Sequence, residues 1–169
     1  NMASIAETAG VSAGLIYRYF DSKNAIILAI IERQLNEVQA DIRRLQSESR
    51  VVANRFCELF DKWRRNEGTA LEPGLFLEIV ALATRDQPVA EALRRADWRV
   101  RGELRAWLMQ AWESAGRGLT ETEVVERAFV MQCFIEGMVI RAIKQPDSDS
   151  ELIAGGLRSL FAYLFPEGS

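Results

Sequence analysis

The groups with the most specific chemistry in this 169-residue chain cluster near its start. Ser12, Tyr17, Arg18, Tyr19 and Lys23 place hydroxyl and cationic donors within one short segment. Such donors suit a partner rich in anionic oxygen. A guanidinium such as that of Arg18 can pair with guanine O6 and N7, and tyrosine hydroxyls and a lysine ammonium can reach phosphate. Ala13 and Gly14 between them bring no donor but permit close backbone approach. Catalytic chemistry has much weaker support. There is no histidine, which removes the usual general base near neutral pH. Cys57 and Cys133 lie far apart without a nucleophile or metal-binding motif, and both read as small buried apolar residues. The many Asp and Glu residues fall on helix faces, where a solvated surface is the default. The chain therefore reads as a binding protein, with no enzyme activity, metal or cofactor expected.

The elements around these donors form a recognisable pattern. Ile5, Ala6 and Ala9 share one face of a short helix over residues 2–9, capped by Asn1. Gly10 follows at once and can end that helix in a left-handed conformation. Val11 is expected to turn inward as a packing plug. Ser12 caps a second helix over 13–19, with Ile16 and Phe20 on its inner face and Ala13, Gly14, Tyr17 and Arg18 outward. Asp21 is expected to cap a long third helix over about 22–46. A helix, a glycine turn and a capped second helix form the pattern of a helix-turn-helix DNA reader, whose second helix enters the major groove.

Ile5-Ala6, Ala9-Gly10-Val11-Ser12, Tyr17-x-Tyr19-Phe20 and Ser22-Lys23-x-Ala25, with a long apolar helix behind them, resemble the DNA-binding domain of TetR-family transcriptional regulators. The resemblance implies DNA contacts from Ser12, Ala13, Gly14, Tyr17, Tyr19 and Lys23, and Arg18 is the best charged candidate for a base. Leu15 departs from the pattern. That position is often threonine or serine in the family and bonds phosphate; leucine instead meets a thymine methyl or loses the contact. The resemblance also implies a further helix ahead of Asn1. Only Arg18 and Lys23 are basic before residue 30, so much of the phosphate binding is expected from that preceding segment.

Composition agrees with a packed helical protein: 49% hydrophobic and 27% charged residues, and only four prolines. The net charge of −3 and pI near 5.2 argue against a surface coated in positive charge, although a small basic patch on an acidic body remains compatible. No apolar run approaches the length of about 18 residues that a membrane span needs, and no signal peptide opens the chain. A cytoplasmic location without membrane contact is expected. The fold class is all-α: a partial helix-turn-helix domain over 1–46 joined by the long helix to a ligand-binding and dimerisation domain over 47–169. Ser47-Glu48-Ser49 marks the break. Further helices are expected over about 51–66, ended by Glu67-Gly68-Thr69, and over about 73–85, 88–115, 121–144 and 149–164, with Thr120 and Glu123 as a capping box and Pro166 as the end of order.

The body carries two further expectations. Aromatic and aliphatic residues of its central helices, Phe56, Phe60, Trp63, Phe76, Ile79, Trp98, Trp107 and Phe134, are candidates for lining an apolar ligand pocket of the kind TetR-like bodies hold, with Gln132, Glu136 and Arg141 as polar contacts. Each is also a candidate for plain core packing. The last two helices are too apolar for exposed surface, and Gly155-Gly156 lies inside one of them at a helical cost of about 1 kcal/mol per glycine. A close helix–helix contact would offset that. The resemblance implies a four-helix homodimer interface, with Phe129, Glu136, Ile140, Gly156, Leu157 and Leu160 as its candidates. The expected whole is a homodimeric repressor that leaves a palindromic operator on double-stranded DNA when an unknown small-molecule effector binds. The alternative is a helical dimer that binds a small molecule or protein without reading DNA.

Overall fold

A computed structural model describes residues 1–47, 52–68 and 71–165. Eight helices and no strand occur among them: α1 (Met2–Thr8), α2 (Ala13–Tyr19), α3 (Lys23–Ser47), α4 (Val52–Arg64), α5 (Pro73–Ala83), α6 (Gln87–Ser114), α7 (Glu121–Lys144) and α8 (Ser150–Leu164). The fold is all-α. Of the break expected at Ser47-Glu48-Ser49, Ser47 still belongs to α3, and Glu48, Ser49, Thr69 and the end expected at Pro166 lie outside the described residues.

The helix ends follow from local chemistry. The Asn1 side chain accepts the Ser4 N–H at 2.9 Å, and Ser12 Oγ accepts that of Leu15 at 3.2 Å. Gly10 adopts φ +67° between α1 and α2. Around it the Gly10 N–H donates to Glu7 O and the Val11 N–H to Ala6 O, the paired bonds of a Schellman ending. Gly116, at φ +71°, ends α6 in the same way, with Arg117 N–H donating to Trp112 O. Thr120 and Glu123 form the expected capping box.

Three local expectations are corrected. Ser22, not Asp21, caps α3, because its Oγ accepts the Ala25 N–H at 3.1 Å. Asn66, rather than the Glu67-Gly68 pair, takes the left-handed position after α4, at φ 53°; asparagine tolerates that conformation better than other non-glycine residues. Val11 is exposed rather than turned inward, since the Schellman turn carries its side chain past the end of the α1 face.

The main core lies among α4, α6, α7 and α8. Phe56, Phe60, Trp63, Leu104, Trp107, Leu108, Met131 and Leu157 are buried there. Phe161 stacks at a tilt on both Phe56 and Phe165, and Trp107 on Phe165 at a centroid distance of 5.0 Å. A smaller core joins α3, α5 and α6 through Ile31, Ile79 and Val89. Cys57 packs against the main core, where burial pushes its thiol pKa up. Cys133 is exposed, which corrects the expectation of a buried residue: the face of α7 it occupies is not covered.

The long helix α3 packs chiefly along α6. The contacts run in the same sequence order on both helices, so the two are parallel. Asn24 donates to Asp86 at 2.6 Å, Arg99 pairs with Glu32 at 3.0 Å, and Gln39 and Arg43 both reach Glu103. One end of α3 thus adjoins the helix-turn-helix, and its length is clamped to the body.

Candidate nucleic-acid interface and central cavity

The reading head is built from the cap upward. Ser12 starts α2 and fixes its rotation. Ile16 and Phe20 then lie half-buried, while Ala13, Gly14, Leu15, Tyr17, Arg18 and Tyr19 are exposed, Tyr19 by 70%. Ala13 with Tyr17, and Gly14 with Arg18, are four apart and share a face. A Cβ added at Gly14 would meet nothing within 4 Å, so its backbone is open to approach from outside. Lys23 is exposed at the first position of α3. Arg18 and Lys23 form no ion pair among the described residues. All eight residues expected at the interface, Ser12 included, are therefore exposed on α1–α3 of the head. Unpaired cations and hydroxyls beside the N-terminus of α3 make an arrangement suited to phosphate oxygens.

A second feature lies in the body. A cavity of about 580 Å³ opens among α3, α5, α6 and α7. That volume falls within the range of about 300–1,000 Å³ usual for small-molecule sites. Its wall is mainly apolar: Ile31, Leu35 and Val38 from α3, Phe76 and Ile79 from α5, Leu93 and Val100 from α6, and Ile135 from α7. The polar groups are few. Gln34 is only 7% exposed and makes no side-chain hydrogen bond among the described residues. Asp97 accepts from Arg101 at 2.8 Å and from Gln132, whose Oε1 in turn accepts from Arg101 at 3.0 Å. Glu136 stands one helical turn beyond Gln132 and has no hydrogen-bond or ion-pair partner among the described residues. Burial first, and the Asp97 charge second, push its carboxyl pKa above the usual carboxylate value, against the pull of Arg101.

The eight residues expected to line a pocket divide sharply. Phe76 and Ile79 line the cavity. Phe56, Phe60, Trp63 and Trp107 do not; they are the buried centre of the main core. Phe134 is half-buried against that core, and Trp98 is 75% exposed on the outer side of α6. Gln132 and Glu136 line the cavity, whereas Arg141 is exposed and donates to Gln145 at 2.7 Å. Sequence reasoning missed Gln34 and Asp97. Gln34 left a signal: an amide at core spacing between Ile31 and Val38 in an otherwise apolar stripe.

The dimerisation candidates divide too. Val125, Phe129, Cys133, Glu136, Ile140 and Ile143 recur at spacings of three and four along one exposed stripe of α7, and Leu152, Gly156, Ser159 and Tyr163 do so on α8. Phe129, Ile140 and Gly156 thus face outward. Leu157 is fully buried and Leu160 packs against the core, because the inward face of α8 must cover α4. Ile140 and Glu136 also border the cavity. A Cβ on Gly156 would meet nothing within 4 Å, so no approach among the described residues accounts for that glycine.

Among the described residues no group of three or more His, Cys, Asp or Glu side chains is placed to hold a metal ion, and no helix is long and apolar enough to cross a membrane. No curated protein matches the chain. Residues 1–30, covering α1, α2 and the start of α3, match the family described as bacterial regulatory proteins, tetR family. That match falls on the capped helix-turn-helix built above and supports a TetR-family DNA-binding transcriptional regulator, with which the all-helical body is consistent.

Proposed function

We propose that the chain is a ligand-responsive, homodimeric repressor. Residues 1–46 are its DNA-reading part and residues 47–169 its effector-binding and dimerisation part. The observation that carries this reading is the place of the cavity. One wall is α3, the helix that leads directly from the reading head, and the others are α5, α6 and α7. A molecule filling that space bears on α3 and α6 at once. The clamps from Asn24–Asp86 to Arg43–Glu103 transmit any shift along α3. Ligand acts by binding one spacing of the two heads better than the other, and its effect is limited to that difference in affinity.

The two exposed stripes on α7 and α8 support the dimer. A two-fold pairing buries the same patch on both copies and sets two heads at a fixed distance, as a palindromic operator requires. Ser12, Ala13, Gly14, Leu15, Tyr17, Arg18, Tyr19 and Lys23 are its DNA contacts, with Arg18 the base reader. Phe129, Ile140 and Gly156 belong to the dimer interface; Glu136 belongs to the cavity. The protein acts in the cytoplasm, where its operator is.

The test is selection of binding sites from random duplexes at low salt, followed by sedimentation of the complex. Recovery of a palindrome bound by two chains, with affinity falling steeply as salt rises, is expected. No enriched sequence would overturn the DNA-reading proposal and favour a helical dimer that binds other partners.

A further inference from the structure

The polar groups around the cavity differ in what already serves them. Asp97, Arg101 and Gln132 bond one another where α6 meets α7. The Thr84 hydroxyl donates to Ala81 O at 2.7 Å. Arg94 and Glu136 border the cavity but are exposed, so water solvates both and neither sets a preference for a charged ligand. Gln34 is different. It is only 7% exposed, it is the one polar residue that α3 gives to the wall, and its side chain makes no hydrogen bond among the described residues. Its amide is nevertheless not sealed into the packing. Among the described residues, Trp63 Nε1 is the one buried side-chain nitrogen or oxygen with neither surface nor partner. Gln34 Oε1 and Nε2 therefore both keep some surface, and the space that Gln34 borders is the cavity. Ile31, Leu35 and Val38 flank it on the same helix, so that wall supplies no partner.

From this buried, unbonded amide on the cavity wall we infer that the effector is an apolar molecule carrying a carboxamide or lactam, and that Gln34 holds it. A buried polar group left unpaired costs more than its bond would contribute, so a ligand that completes both halves of the amide gains most. The Gln34 Nε2–H donates to the ligand carbonyl, and Gln34 Oε1 accepts from the ligand N–H. A planar amide makes both bonds nearly linear, because its donor and acceptor lie side by side as those of Gln34 do. A hydroxyl oxygen bridging the same two atoms would bend both bonds. An ester or ketone would leave Gln34 Oε1 unpaired. The hydrocarbon part of the ligand fills the apolar space beside Leu35, Phe76, Ile79 and Leu93.

The inference rests on the cavity being the effector site, and the experiment separates the two. The full chain is titrated calorimetrically with octanamide and with methyl octanoate, which has the same acyl chain and carbonyl but no N–H. The readout is the affinity for the amide relative to the ester, in the wild-type chain and in Gln34→Met, whose side chain has similar length but no N–H or C=O. That ratio is expected to fall about tenfold or more in the variant, through loss of amide binding while ester binding is kept or improved. A smaller fall, or ester binding without amide binding in the wild-type chain, overturns Gln34 as the anchor while the cavity stands. Binding of neither probe overturns the cavity as effector site and the inference with it. Should Gln34→Met not fold, the assigned Gln34 side-chain N–H resonances of the wild-type chain report instead. They are expected to shift as octanamide saturates the protein, and unmoved resonances overturn the inference.

Discussion

The hydrogen bond between Asn24 and Asp86 joins the first turn of α3 to the cap of α6, and its removal is the most direct probe of how the head is held to the body. Asp86 has two tasks. Its Oδ1 accepts the Val89 N–H at 3.1 Å, capping α6, and its Oδ2 accepts from Asn24 at 2.6 Å. Loss of an N-cap costs about 1 kcal/mol. A hydrogen bond to a charged group contributes about 1.5–3 kcal/mol, and the half-buried setting here places it near 1.5. Asn24→Ala removes only the second bond and should cost about 1.5 kcal/mol. Asp86→Ala removes both and should cost about 2.5 kcal/mol. The double variant should lose no more than Asp86→Ala alone, giving a coupling of about 1.5 kcal/mol. Urea unfolding of the four proteins measures this through the midpoint, provided the slope is unchanged. A coupling below about 0.5 kcal/mol, the ordinary error of additivity, would mean that the bond does not tie the helices.

Four further outcomes follow from particular residues. Gly156→Ala should raise the stability of the isolated chain by up to about 1 kcal/mol, since the added methyl meets open space and alanine favours helix; a weaker dimer by sedimentation in the same variant places Gly156 in the interface. Trp63 is buried with its Nε1–H unbonded among the described residues, so Trp63→Phe should cost far less than the loss of about 3–5 kcal/mol expected for Phe60→Ala by thermal or urea unfolding. Tyr17→Ala should weaken operator binding in a mobility-shift titration with the dimer intact, because the exposed ring supports no core packing; unchanged affinity removes Tyr17 from the contacts. The raised carboxyl pKa of Glu136 favours its protonated form in the folded chain. Its contribution to stability is therefore present below its unfolded pKa, near the ordinary 4.5, and is lost as pH rises through the higher folded value. Glu136→Gln should flatten the decline of stability with rising pH across that window in a urea series.

Much of this protein was legible before any coordinates. Ser12, Gly10 and the Thr120–Glu123 box act through bonds to residues at most a few positions away, so type and spacing determine them. The same holds for the all-α fold, with eight helices among the described residues, and for the reading head, which the match over residues 1–30 supports. Even locally, competition between neighbours decided details: Ser22 displaced Asp21 as the cap, and Asn66 displaced a glycine.

The tertiary structure decided what each helix face meets. Periodicity tells an apolar face from a polar one but not a packed face from a cavity wall, and both are built from the same side chains. Hence Phe56, Phe60, Trp63 and Trp107 went to the core while Phe76 and Ile79 went to the cavity, and Trp98 went to solvent. The same limit turned Leu157 inward and left Phe129 and Gly156 outward on adjoining helices. The cavity exists because α3, α5, α6 and α7, far apart in sequence, converge without filling the space between them. Only that convergence brought Gln34, Asp97 and Glu136 to the border of one volume.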